Sequence, residues 1–209
     1  MADRVGHGQL ESSTRVNSKM YRPFVLISGL PASGKTMLGR RLAPAMDLPL
    51  IDKDDILERL FELRGAGDKE WRRMLSRESD IILQREAMSS HGAVLVSFWH
   101  LPGMPANSGT PTSWIAALSG QVVNVNCKCE PETAAERFLR RKRHLGHLDQ
   151  ETSYTELLAN FRKLSHLGSI DVGQRIEVDT LREAELDAVI RDVRGALARC
   201  LTGAEPDGR

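Results

Sequence analysis

Eight consecutive residues hold the clearest chemistry in the chain. Gly29-Leu30-Pro31-Ala32-Ser33-Gly34-Lys35-Thr36 fits the pattern G-x-x-x-x-G-K-[ST]. Each residue type has a physical task in that order. The glycines let the backbone curl until successive N–H groups point inward at an anion. A helix starting near Lys35 aims the positive end of its dipole at the same point. The Lys35 ammonium reaches the outer phosphates of a nucleoside triphosphate, and the Thr36 hydroxyl ligates Mg2+. Gly29, Pro31, Ala32, Ser33, Gly34, Lys35, Thr36 and Met37 are therefore the expected triphosphate-binding residues. ATP and Mg2+ are the expected cofactors.

What becomes of the phosphate depends on groups elsewhere. Asp52-Lys53-Asp54-Asp55 follows a short apolar run, Pro49-Leu50-Ile51. Carboxylates there would lie at the carboxyl edge of a parallel sheet, where ligands of open α/β folds bind. Phosphoryl transfer to an alcohol wants one carboxylate to accept the hydroxyl proton and another for the metal. Asp54 is the candidate for the first task and Asp52 for the second, while Asp55 or a neighbour caps the helix that begins near Ile56.

A second group runs from 132 to 147, where Arg137, Arg140, Arg141, Lys142 and Arg143 face only Glu132 and Glu136. At helical spacing, Arg137 with Arg141 and Arg140 with Arg143 form a fork suited to phosphate oxygens. A solvated helix face or a patch for an acidic partner is the plainer reading of the same charges. Phe138 and Tyr154 are the only nearby aromatics for stacking bases, so a nucleic-acid partner is the lesser option.

A third group is Ser97-Phe98-Trp99-His100 and the Pro/Gly-rich loop after it. The loop would begin beside the site and could wall a substrate pocket, with Trp99 and His100 read first as packing residues and second as substrate contacts. The strand before it carries no terminal Asp for a metal, which favours a small kinase over a motor ATPase. Base contacts are expected near Thr180.

These groups need elements to position them. Apolar runs at 24–27, 49–51, 93–99, 121–127 and 176–178 read as strands. Helical spacing appears over 35–45, 56–63, 68–91, 132–143, 154–164 and 183–201, with Ser153-x-x-Glu156 as a capping box. Strands alternating with helices imply an α/β fold, a parallel sheet covered on both faces.

Composition agrees with one soluble domain. The chain has 209 residues, Lys+Arg 29 against Asp+Glu 28, and a net charge of +1. That excludes an overall basic field for duplex nucleic acid. No apolar run approaches a membrane span. Cys127, Cys129 and Cys200 are an odd set without zinc-site spacing, which suits a reducing cytoplasm. Residues 1–20 read as a flexible leader, 21–201 as a single domain and 202–209 as a flexible tail. Oligomeric state has no signature.

The phosphate loop, the DKDD cluster and the Arg-rich stretch before HLGHLD together resemble the P-loop small kinases. The chain is most similar to polynucleotide-kinase-like and zeta-toxin-like ATP-binding proteins, with chloramphenicol phosphotransferase, shikimate kinase and gluconate kinase further off. The resemblance spans about 24–201 and implies a P-loop NTPase fold with five parallel strands in the order 2-3-1-4-5 and an Arg-rich mobile lid. In polynucleotide kinases the first Asp of the pair after strand two is the general base, a position held by Asp54. In the shikimate branch a D-x-D pair handles metal and substrate, here Asp52 and Asp54. Family lid arginines fall among Arg137, Arg140, Arg141 and Arg143, with the register open. Two residues depart from the pattern: Ala32 stands where many relatives carry Gly, and Met37 where Ser or Thr is common.

The expected function is transfer of the γ-phosphoryl group of ATP to a hydroxyl of a small or nucleoside-like acceptor. Lys35, Asp54, Arg137 and Arg141 would act in catalysis, and Arg140, Arg143 and Thr180 would help hold the nucleotide. Alternatives are a polynucleotide 5′-hydroxyl kinase and a non-catalytic nucleotide switch or NTPase.

Overall fold

The first strand shows how the chain divides its core. Phe24 and Leu26 point to one side and Val25 and Ile27 to the other, and all four are fully buried. A strand apolar on both faces must be central and covered twice, as parallel strands are. The computed structural model describes residues 22–149, 152–182 and 184–202. The expected leader, and residues 203–209 of the expected tail, lie outside them.

In chain order the elements are β1 (Pro23–Gly29), α1 (Lys35–Ala45), β2 (Leu50–Asp52), α2 (Lys53–Arg64), α3 (Lys69–Ser89) and β3 (Ala93–Val96). Then follow β4 (Gln121–Lys128), α4 (Pro131–Arg140), α5 (Tyr154–His166), β5 (Gln174–Asp179) and α6 (Leu186–Thr202). Short 3-10 turns occupy Ser113–Ala117 and Leu145–His147. The five strands form one parallel sheet in the order β2-β3-β1-β4-β5, as expected.

Phe24 and Leu26 pack with Leu57, Leu60 and Phe61 of α2 and with Leu75 and Leu83 of α3. Val25 and Ile27 pack with Leu38 and Leu42 of α1 and with Val193 and Leu197 of α6. Each such side chain contributes about 1.5–3 kcal/mol by leaving water. A third cluster joins Ala134 and Ala135 of α4 to Leu157, Phe161 and Leu164 of α5.

Four boundaries differ from the sequence pattern. α2 starts at Lys53 rather than near Ile56, because Asp52 caps it by accepting from the Asp54 N–H at 2.9 Å. Asp55 is therefore not the cap. β3 stops at Val96, since Trp99 pairs instead with Thr110 in the loop that follows. α4 stops at Arg140, where Arg141 turns to extended backbone (φ −70°, ψ 140°). α6 begins at Leu186 rather than at 183. The capping box is present as expected, with Ser153 and Glu156 bonded reciprocally.

Candidate active site

The phosphate loop turns on backbone that side chains resist. Gly29 has φ +129°, and a Cβ there would stand 2.5 Å from the Cys127 carbonyl oxygen. Ala32 adopts φ +59°, a left-handed conformation that glycine takes freely and alanine does not. That is the physical content of an alanine where glycine is the expected residue.

At the end of the loop the Lys35 ammonium donates to the carbonyls of Gly29 at 3.1 Å and Leu30 at 2.6 Å. The lysine is buried, and burial lowers its pKa to about 8, with the Cys127, Asp54 and Asp52 charges opposing. Thr36 Oγ1 donates to Asp52 Oδ2 at 2.8 Å. Asp52 is also buried. Desolvation, followed by the charge of Asp54, raises its carboxyl to about 6.

Asp54 stands in the first turn of α2 with about half its side chain exposed. Burial of its surroundings pushes the carboxyl up, but Arg143, His147, Lys35 and Arg141 outweigh that and hold it below the ordinary carboxylate value.

These residues share a cleft of about 1090 Å3 at the carboxyl edge of the sheet. Pro31, Ala32, Gly34, Lys35, Thr36 and Met37 line it, with Asp52, Asp54, Arg137, Arg141 and Arg143. Arg143 Nη2 lies 2.6 Å from Asp54 Oδ2, and its Nη1 donates to Asp149 at 3.3 Å. Arg141 also donates to Asp149, at 2.9 Å, and lies 4.0 Å over the Phe138 ring. Arg137 donates to the carbonyls of Thr180 and Leu181, tying α4 to the segment after β5.

Four expected residues do not line this cleft. Arg140 is exposed beside Glu136. Thr180 packs against Gly34, and its hydroxyl donates to the Lys128 carbonyl. Gly29 faces a smaller pocket behind the loop. Ser33 is fully buried, with no partner for its hydroxyl. The expected helical fork does not form, because the helix ends before Arg141. Trp99 is a packing residue, buried and donating through Nε1 to the Ile27 carbonyl. His100 Nδ1 bonds the Ser108 carbonyl at 2.7 Å.

Sequence reasoning missed the wall opposite the loop. Arg72, Arg73, Ser76, Arg77 and Asp80 of α3 line the cleft. Arg72 Nε and Arg141 Nε are buried donors without acceptors. The available signal was Arg72-Arg73-x-x-Ser76-Arg77, polar residues at helical spacing beside the apolar stripe. Asp80 also accepts from Lys53 at 2.6 Å and from Thr110 at 2.7 Å, and Thr110 bonds Ser97 at 2.5 Å. This chain of bonded groups, with Ser97 and Thr110 buried, ties the 100–112 loop to α3 beside the cleft, where Asn107, Ser108 and Gly109 line it.

The donor set fits Mg2+. Thr36 and Asp52 present hard oxygens 2.8 Å apart, near the roughly 2.9 Å between adjacent ligands of an octahedral ion with 2.0–2.1 Å bonds. Among the described residues no three His, Cys, Asp or Glu side chains gather as a cage. Mg2+ at nucleotide sites takes one or two protein oxygens and completes its shell with phosphates and water.

No family model matches the chain. Over 76 residues it is 40% identical to a shikimate kinase of Corynebacterium glutamicum, covering 36% of this chain and 45% of that protein. Over 107 residues it is 37% identical to a shikimate kinase of Mycobacterium bovis, covering 48% and 54%. The chain thus spans about half the length of the curated relatives it matches. These relatives fall in the branch that the sequence pattern set further off.

A solved structure of a candidate kinase from Chloroflexus aurantiacus superposes with a TM-score of 0.66 at 24% identity, covering 84% of this chain and 98% of that one. A shikimate kinase structure from Bacteroides thetaiotaomicron gives 0.50 at 17%, covering 84% and 98%. The fold is that of the P-loop kinases, a five-stranded parallel sheet with a phosphate loop after its central strand.

Proposed function

We propose that the protein transfers the γ-phosphoryl group of ATP, with Mg2+, to a hydroxyl of a small acceptor that carries an anionic group. The observation behind this reading is the placement of Asp54 in one cleft with Lys35, Thr36 and three inward-facing arginines, Arg72, Arg141 and Arg143. A nucleotide-binding module needs the loop alone. A carboxylate beside it, facing a basic wall across a wide cleft, suits a second substrate.

Lys35 and the loop N–H groups would hold the triphosphate. Thr36 and Asp52 would hold Mg2+, which supplies charge neutralisation at the phosphates. Asp54 would accept the proton of the attacking hydroxyl. Arg141 and Arg143 would stabilise charge on the moving group, electrostatic help of the kind that dominates phosphoryl transfer. Arg72, Arg73 and Arg77 would bind the acceptor's carboxylate or phosphate. The shikimate kinase relatives support an acceptor of this size.

The test is ADP release from Mg-ATP against a panel of hydroxy acids and sugar phosphates that includes shikimate and gluconate. Acceptor-dependent turnover is expected. Asp54→Asn should lower kcat by about 10²–10⁴-fold with ATP affinity unchanged. Slow hydrolysis indifferent to every acceptor would instead leave a nucleotide switch.

A further inference from the structure

The segment after α4 is held more firmly than its loop-like sequence suggests. The turn Leu145–His147 sits on the ring of Phe61 in α2. His144 stacks on that ring at 5.2 Å and 10°, and His147 meets it edge-on at 5.4 Å and 85°. Gly146 lies flat against it, where a Cβ would come within 2.7 Å of the ring carbons. The His147 side chain is 1% exposed, and its Nε2 donates to Glu58 Oε1 at 3.0 Å. A carboxylate oxygen only accepts, so Nε2 carries the proton of this contact, while desolvation, and then the charge of Arg143, hold the imidazole below its ordinary pKa. The next anchor is Asp149, which accepts from Arg141 and Arg143.

Glu58 lies one helical turn beyond Asp54 in α2, so both project toward the same segment. His147 is likewise four residues beyond Arg143, across the turn. The contacts therefore form a ladder, Glu58 with His147 and Asp54 with Arg143. Each rung holds the other in register, because Phe61 fixes the turn between them. The Arg143 guanidinium is thereby aimed at the proton-accepting oxygen of Asp54, while Asp149 bonds its other nitrogen.

We infer that Glu58 and His147 are positioning residues for phosphoryl transfer, forming a clasp that docks residues 143–149 on α2 and sets Arg143 over Asp54. The inference rests on the kinase reading for its catalytic consequence and on geometry alone for the clasp. Glu58 touches no reacting atom and acts through His147 and Arg143. An Arg143 already in place needs no ordering when a phosphoryl group arrives, and a small displacement of such a group costs about 10²-fold in rate.

Two measurements separate the clasp from the kinase reading. The first uses the full chain with Mg-ADP and limited trypsin digestion. Cleavage after Arg143 should be slow in the parent and at least about tenfold faster in Glu58→Leu, with Glu58→Gln close to the parent because its amide oxygen still accepts from His147. The His144 ring protons should show an upfield ring-current shift that Phe61→Leu abolishes.

The second is turnover with whichever panel acceptor supports ADP release. Glu58→Leu should lower kcat about tenfold or more with the ATP KM within about twofold, and Glu58→Gln should restore it. Equal cleavage in parent and Glu58→Leu would overturn the clasp whether or not any acceptor is turned over. Faster cleavage with unchanged kcat would overturn the positioning role and leave a docking contact only.

Discussion

Under the proposed function Lys35 would have two occupations, and burial would make the exchange between them pH-dependent. In the free protein its ammonium bonds the Gly29 and Leu30 carbonyls, and its pKa falls to about 8. An unfolded lysine titrates near 10.5, so between about 8 and 10.5 the unfolded chain binds more protons than the folded one. The cost of burying the charged amine is therefore present at neutral pH and is relieved as pH rises through that window. Triphosphate binding wants the charged form. Affinity for Mg-ATP should be flat below pH 8 and fall by up to about tenfold by pH 9, with net proton uptake in calorimetric titrations. Lys35→Met should abolish both the affinity and its pH dependence. At Asp54, the Asp→Asn substitution divides proton acceptance from helix formation, since Asp52 rather than Asp54 supplies the cap.

Element ends carry as much of the site as element interiors. Asp52 closes β2, caps α2 with one oxygen and accepts from Thr36 with the other. One carboxylate thus links the phosphate loop to the helix that presents Asp54. The sequence pattern gave α2 a later start because its apolar period begins at Ile56, while the first turn, Lys53-Asp54-Asp55, is polar and belongs to the cleft. α4 ends early for a related reason. Arg141 and Arg143 bond Asp149 and Asp54, contacts that extended backbone reaches and a continuing helix does not. The α5 capping box is a cleaner case, remote from the cleft charges. Ser153→Ala should destabilise the fold by about 1 kcal/mol, lowering Tm by about 2–4 °C in a thermal melt, with ATP affinity unchanged.

At the scale of the whole molecule, a net charge of +1 conceals a cleft in which basic side chains outnumber acidic ones by about two to one. Such a site gains stability from an anionic ligand. Mg-ATP at a hundred times its Kd should add about 2.7 kcal/mol, raising Tm by about 5–10 °C in a domain of this size, and Lys35→Met should lose the shift. Among the described residues no helix is long and apolar enough to cross a membrane. The sequence by itself determined the phosphate loop, the strand and helix types and, through the family resemblance, the strand order. The reason is that local backbone demands and hydrophobic period are written in adjacent residues. It also placed Asp52 and Asp54 at the functional edge, because parallel strands share one carboxyl end. The tertiary structure alone decided which cations face Asp54. Arg72 of α3 and Arg143 beyond α4 are 71 positions apart in sequence, and they line one cleft only because the fold brings α3 and the segment after α4 to the same edge of the sheet. No local period records such a meeting, since packing selects partners by shape and charge in space.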